Sequence, residues 1–441
     1  MNMTYDQALP ALLGVVVPSL TGCEVCVIRD LQGRLRLVVE SLDAAGKSAL
    51  EAKLQEELDG YFVGPILVLR AGDDKVQQRL AQALWGQKQP WPTVWPTEVS
   101  DQISDTKTSV DTSRFFALIK TLSKDEWLSL PPRPPWPHNA RTPPIVSFYS
   151  FKGGVGRSTL LGCVAYALAK QGKKVCILDL DLEAPGIGTL LQAQSDRGLL
   201  DVIIDYVATD TINLDGCSAK AESFGAVSQS VTVFPAGVVT DWRYLEKLAR
   251  LDYAAQSVDH RGHSPVHNAL SRTLNAINHA LSPAVFLLDS RAGLHDLGGL
   301  SLNALSHIEV LVARGSDQNY RGMELALQAL ARRDLAGLQC LLVHSFAPIH
   351  TAPSYSAETK AFREKIYDLF SRHVYSRPGP GEEVPDRDDG LALHYPQVFP
   401  HADALAQASI LTEAEVPDLN SSAMKSLLER FMFLLKGPAA T

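Results

Sequence analysis

The stretch IVSFYSFKGGVGRSTLLGCVAYALAKQGKKVCILDLD, Ile145–Asp181, decides the fold. It opens on an apolar run of strand length, passes through a glycine-rich turn, continues with apolar residues at helical spacing and closes on a second apolar run that ends in carboxylates. Gly153, Gly154 and Gly156 lack the side chains that would forbid positive φ and hold the backbone away from an anion. Ser158 follows where the helix begins, and the free amides and positive dipole end of that helix favour negative charge. Lys152 and Arg157 add two cations to the same loop. A phosphate cradle is therefore expected, built from Gly153, Gly154, Val155, Gly156, Arg157, Ser158 and Thr159.

The strict pattern GxxxxGK[ST] is not met: Phe151 stands where the first glycine belongs and Arg157 where the phosphate-binding lysine belongs. With Lys152 at its head, the KGG loop resembles the deviant Walker A motif of the ParA/MinD/ArsA-type NTPases, and within that class the variants that carry KGGVGR. The resemblance runs from near Ile145 to the C-terminus. Two further segments carry it. KKVCILDLDLEAPG ends in Asp179 and Asp181, matching the DxD of a switch I region, and AVFLLDSRAGLHD ends in Asp289 and continues to Gly293, like a Walker B and switch II segment.

That resemblance implies ATP and Mg2+ as cofactors, the metal held by Ser158 and Asp289, an attacking water oriented by Asp181, and Lys152 reaching across a nucleotide-sandwich homodimer to the partner's phosphates. Arg157 keeps the charge of the usual lysine on a planar, bulkier head, so slow hydrolysis is expected. The function implied is a nucleotide-dependent switch that controls a further, unidentified protein. The alternative is a catalytically weak scaffold acting through its N-terminal domain. His344 or Ser345 occupies the place where many such proteins carry a base-reading Asn. FPHADALAQAS, Phe399–Ser409, resembles the segment that closes over the base.

The fold class expected is α/β: a doubly wound, mostly parallel sheet over residues 145–441, with ligands at the strand C-termini. Apolar strands SVTVFPA, AVFLLD, IEVLVAR and LQCLLVH alternate there with helices, including the stretches Asp241–Leu281 and Ser356–Tyr375. Residues 1–97 read as a small α+β domain with a docking or sensor role. Residues 98–144 read as a linker: a polar stretch, one helix (SRFFALIKTLSKDEWLSL) and a semi-rigid proline spacer from Pro131 to Pro144. RPGPGEEVPDRDDG reads as a mobile loop.

Composition narrows the function classes. With 441 residues, 46% hydrophobic and 20% charged, the chain can build two to three domains, and its net charge of -8 disfavours non-specific DNA binding. The first residues carry no basic start, and no apolar run reaches the roughly 18 residues of a membrane span, so a cytoplasmic protein is expected. The last helix, SSAMKSLLERFMFLLKG, has few cations on its polar side and reads as core packing rather than a membrane anchor. Cys23 and Cys26 form a lone CxxC in a strand, and His260, His263 and His267 cluster without a carboxylate framework, so neither group reads as a metal site.

Overall fold

A computed structural model describes every residue except 1–2, 31, 71–74, 93–94, 101–106, 120–126, 128–133, 240–241, 255–263, 333–337, 349–354, 377–382, 404, 406–407 and 438–441. The chain divides into two compact units, Met1–Leu122 and Ser123–Thr441.

The first unit is a five-stranded sheet of order β3-β2-β1-β7-β4, with β1 Val25–Arg29, β2 Leu35–Val39, β3 Leu67–Val68, β4 Gln89–Pro90 and β7 Phe115–Ile119. Alternation along β1 sends Val25 and Val27 toward the core shared with the helices Tyr5–Ser19 and Ala44–Leu58. Cys26 and Ile28 face the helix Lys75–Trp85 on the other side. A two-stranded ribbon, β5 Glu98–Ser100 with β6 Lys107–Ser109, belongs to the same unit.

Two expectations are corrected here. The helix expected over Ser113–Leu130 is a strand at Phe115–Ile119, which pairs in parallel with β1. A five-residue aromatic and aliphatic run suits a strand covered on both faces, and periodicity alone does not separate that from a buried helix. The polar stretch from Glu98 is not a plain linker either, since it supplies β5 and β6.

The second unit carries an eight-stranded sheet of order β10-β11-β9-β12-β8-β13-β14-β15. Its strands are β8 Ile145–Tyr149, β9 Val175–Asp179, β10 Ala219–Lys220, β11 Val231–Phe234, β12 Val285–Asp289, β13 Ile308–Ala313, β14 Cys340–Ala347 and β15 Gln397–Pro400. All neighbours are parallel except β10 against β11. The expected doubly wound α/β sheet is the fold observed. Both faces are covered: Val175, Ile177, Val285 and Leu287 pack toward the helices Arg157–Lys170 and Ser422–Leu435, while Cys176, Leu178, Phe286 and Leu288 pack toward Leu199–Thr209 and Pro265–Leu281. Met424, Leu427, Leu428, Phe431 and Leu434 bury the C-terminal helix in that core, as its spacing implies. No helix among the described residues is long and apolar enough to cross a membrane.

The proline segment before β8 is folded onto this unit rather than standing off as a spacer. Trp136 is buried with its ring 5.7 Å from Phe286, and its indole N–H donates to the Pro143 carbonyl at 2.8 Å. His307 ties the segment down, its Nε2 2.6 Å from the Trp136 carbonyl while Nδ1 accepts from the Ile145 amide at 2.9 Å. The proline-rich stretch thus leads straight into the central strand. The first part of that stretch, residues 131–133, lies outside the described residues, as do His260, His263 and most of RPGPGEE.

Phe151 has a seat prepared for it. A Cβ added at Gly322, inside the helix Asp317–Leu330, would lie 1.8 Å from Cγ of Phe151, so the ring rests on bare helix backbone. Gly322→Ala is expected to destabilise the protein by about 1–3 kcal/mol, because the ring and its loop must move. In a Phe151→Ala background the same change becomes neutral or stabilising, since Ala is the better helix former by about 0.8–1.0 kcal/mol. Urea unfolding of the four proteins in the cycle measures the reversal; equal effects of Gly322→Ala in both backgrounds would refute it.

Candidate phosphate-binding site

The strand order places the glycine loop at the point where the sheet reverses direction. From β8 the chain crosses to β9, and β12 later inserts between them, so three loops meet at one group of strand ends. Register aligns Asp289 of β12 with Asp179 of β9 on one side and with Phe148 of β8 on the other. Asp179 and Asp289, far apart in sequence, are thereby brought to one spot.

The loop itself is held from several directions. Gly154 and Gly156 adopt φ of +71° and +81°, the left-handed region that glycine enters without strain. Gly156 caps the helix Arg157–Lys170. Ser150 Oγ donates to the Lys152 carbonyl at 2.9 Å and Ser345 Oγ to the Val155 carbonyl at 2.5 Å. Val155 is buried beneath the loop, Gly153 and Gly154 are exposed, and Thr159 is half-buried in the first helical turn. Gly293, at φ +77°, donates its amide to the Ser150 carbonyl at 3.1 Å, and Tyr149 Oη donates to the Gly293 carbonyl at 3.1 Å. The turn after β12 is pinned to the loop by these two bonds.

Within the cradle the charges form an alternating ladder. Ser158 Oγ donates to Asp289 Oδ2 at 2.6 Å, and the buried Arg157 donates through Nε to Asp289 Oδ1 at 2.8 Å and through one terminal nitrogen to Asp181 Oδ2 at 3.1 Å. Arg291 continues the ladder with 3.4 Å to Asp181 Oδ1 and 2.7 Å to Glu183 Oε2, and His295 Nε2 ends it 2.7 Å from Glu183 Oε1. Burial by itself disfavours the Arg157 guanidinium, but Asp289 and then Asp181 outweigh that and hold its pKa above the ordinary value. Asp179 is fully buried, accepts from the Asp181 amide at 3.1 Å through Oδ1, and leaves Oδ2 without a partner. Burial, followed by the nearby Asp289 charge, raises its carboxyl well above the carboxylate range.

Lys152, expected at the phosphates, is exposed and forms no ion pair among the described residues. Neither residue at the position of the base-reading Asn is open to a ligand. Ser345 is committed to Val155, and His344 is buried in a parallel stack on Phe362 with centroids 4.0 Å apart, its pKa lowered to about 4 by burial. The ring beside the loop is Phe346, at φ +48°, whose edge would meet a Cβ on Gly156 at 2.8 Å. Arg314 lies 5.4 Å from that ring and His401 5.7 Å.

Sequence reasoning missed Arg291, Glu183, His295, Phe346 and Trp127. Arg291 and His295 stand in the segment read for Asp289 and Gly293, and a cation two residues after a phosphate-site carboxylate was the available signal. Trp127 carried none. Its indole N–H donates to the His295 carbonyl at 2.8 Å, and its ring rests on Gly299, where a Cβ would come within 2.7 Å.

The Asp179 carboxyl has a consequence for stability. Its folded pKa lies above the unfolded value of about 3.9, so the folded state binds a proton that the unfolded chain releases; the stability this group lends is complete below about pH 3.9 and is lost as pH rises toward the folded value. Asp179→Asn removes the titration. Urea unfolding without nucleotide or metal should show the variant gaining on the wild type as pH rises above about 4. Parallel pH profiles would refute the shift.

Comparison with known proteins bears on the same segment. Residues 142–214 match the ParA family model described as NUBPL iron-transfer P-loop NTPase. The cytosolic Fe-S cluster assembly factor NUBP2 of Mus musculus is 46% identical over 67 residues, which is 14% of this chain and 24% of that protein, and the iron-sulfur cluster carrier protein of Escherichia coli (strain K12) is 47% identical over 53 residues, 12% of this chain and 14% of that one. The chain thus spans about a quarter or less of the length of these relatives. Among solved structures, the Pyrococcus furiosus cell division ATPase MinD aligns over 66% of this chain and 100% of its own, at 19% identity and a TM-score of 0.41. The glycine loop and the carboxylates gathered around it thus lie in or beside the segment, residues 142–214, that is similar to the ParA-type P-loop NTPases.

Proposed function

We propose that the protein is a nucleotide-dependent switch: it binds ATP with Mg2+, closes into a homodimer around the nucleotide, and hydrolyses it slowly to reset. The observation that carries this reading is the convergence of Ser158, Asp289, Asp181 and Arg157 within hydrogen-bonding distance beneath one glycine loop. A hydroxyl and a carboxylate 2.6 Å apart are hard oxygen donors of the kind magnesium takes from protein when phosphates complete its shell. Ser158 and Asp289 would hold the ion, and when bound it would neutralise charge on the outer phosphates. Gly153, Gly154, Val155, Gly156 and Thr159 would surround the phosphates, with Asp179 and Gly293 supporting the two switch turns.

Arg157 decides the rate. Its guanidinium is engaged by Asp289 and Asp181, so a triphosphate must compete for it before Asp181 can orient a water. That competition supports slow turnover. Lys152 is exposed and without an ion pair among the described residues, and that exposure supports a role for it toward a phosphate outside its own protomer.

The relatives' names speak of Fe-S cluster assembly, and a cluster needs thiolates gathered at one place. The chain's six cysteines are all buried, and no group of three or more His, Cys, Asp or Glu that could hold a metal gathers among the described residues. Burial pushes the Cys26 thiol up to about 12 and raises Cys163, Cys176 and Cys340 as well. This donor set does not fit a cluster, which favours the switch over cluster carriage. We further propose that it acts in the cytoplasm on an unidentified protein partner, without DNA or membrane.

Lys152→Ala should abolish ATP-dependent dimerisation; sedimentation profiles of the wild type that do not respond to ATP would remove the dimer from the proposal. Asp181→Ala should bind ATP with near wild-type affinity and release phosphate at least about 100-fold more slowly. Retained phosphate release would take Asp181 out of its role.

A further inference from the structure

We infer that Arg291 is a catalytic residue of this site, an arginine finger supplied by the protomer's own switch II turn, which caps the γ-phosphate as the transition state forms. The inference rests on the ATPase reading above and assigns a residue that the resemblance does not supply. In the ParA-type pattern the added positive charge comes from the KGG lysine, whereas here a second source stands inside the site.

Four observations carry it. First, the backbone that launches Arg291 is fixed: the Ser290 amide donates to the Phe148 carbonyl at 3.1 Å and the Gly293 amide to the Ser150 carbonyl at 3.1 Å, so the turn is tied on both sides of Arg291 to β8 and the glycine loop. Second, its guanidinium already touches Asp181, at 3.4 Å, on the oxygen that Arg157 leaves free. Two guanidinium groups on one carboxylate is an arrangement that the arrival of a phosphate would dissolve, because the phosphate competes for both.

Third, the other edge of the Arg291 fork is held by a side chain with its own support. Glu183 accepts from Arg291 at 2.7 Å through Oε2 and meets His295 at 2.7 Å through Oε1. His295 Nδ1 accepts from the Leu297 amide at 3.3 Å, which leaves Nε2 as the protonated nitrogen that faces Glu183. The neutral imidazole therefore suffices to hold Glu183. Fourth, Arg291 keeps 23% of its side chain exposed, whereas Arg157 keeps 9%. Arg157 is held by the buried Asp289 and the part-buried Asp181, whereas Arg291 is the more exposed of the two and can exchange its Asp181 contact while Glu183 serves as the pivot.

In the reaction, the oxygen of a water oriented by Asp181 bonds to the γ-phosphorus while the bond from that phosphorus to the bridging oxygen breaks. The bond's electron pair stays on the departing diphosphate, and the water's proton passes through Asp181 to solvent, giving ADP and inorganic phosphate. Charge on the equatorial and bridging oxygens is greatest midway, and a planar fork donating two hydrogen bonds to them stabilises that state more than the ground state.

The test compares the wild type with Arg291→Ala and Arg291→Lys in the full chain, with Mg2+. Three quantities are measured: affinity for a non-hydrolysable ATP analogue by calorimetry, affinity for ADP with aluminium fluoride, and the single-turnover rate. For Arg291→Ala the analogue should bind within about threefold of wild type, while the aluminium fluoride complex weakens and the single-turnover rate falls by about 100- to 1,000-fold. Arg291→Lys should recover only part of either loss, because the charge returns without the fork, and it carries the test if the alanine variant does not fold. A variant that hydrolyses and traps aluminium fluoride like the wild type overturns the inference, and so does one whose analogue affinity falls as far as its aluminium fluoride affinity, since that marks a structural role. If the wild type binds no nucleotide, the ATPase reading falls and this inference with it; if it binds without hydrolysing or trapping, the finger falls while the binding site stands.

Discussion

The site depends on the ion pairs that Arg157 makes with Asp289 and Asp181. A guanidinium buried to this extent persists only with carboxylates around it, and removing one partner from such a group leaves an uncompensated charge that costs about 3–5 kcal/mol. The glycine loop, the end of β12 and the turn after β9 are thereby bound into one electrostatic unit. Under the proposed function, a nucleotide entering this cradle would exchange one set of paired charges for another, and the positions of both turns would then depend on what is bound.

The parallel sheet makes that pairing possible. Its register sets Asp289 level with Asp179, and Asp181 follows two residues later on the same turn. Asp179 stays buried close to Asp289 and holds the Asp181 amide, so its neutral form suits the site better than a third negative charge would. Around this core, aromatic rings pack against glycine backbone. Phe151 rests on Gly322, Phe346 against Gly156, and Trp127 on Gly299, and in each case a glycine supplies the flat backbone that lets the ring approach. Phe151 is thus a packed substitute for the first loop glycine, matched by a helix that gives way to it.

The division of the chain was legible only in part. Strands β8, β9 and β11 to β14 were readable because each is a short apolar run that ends at a polar or glycine-rich turn, and a fully covered parallel sheet requires such runs, whereas the edge strands β10 and β15 are short, less apolar and were not read. Phe115–Ile119 has the same character, yet its neighbours in sequence also allow a helix, and its partner β1 lies some 90 residues away; nothing local marks it as a strand. The proline-rich stretch misled for a similar reason. Prolines favour extended chain, but Trp136 and its bonds to Pro143 and His307 turn that extension into packing.

Sequence by itself determined that a glycine loop with flanking cations precedes a helix, that carboxylates close the strands that follow, and that an α/β sheet joins them. These features are local, written in residue types and spacings of a few positions. Only the tertiary structure decided which charges meet. Arg157 reaches Asp289 across 132 positions and Arg291 reaches Asp181 across 110, distances over which spacing carries no information. The strand order of the sheet alone brings those side chains to one group of strand ends, and the need to pair each buried charge then selects the partners.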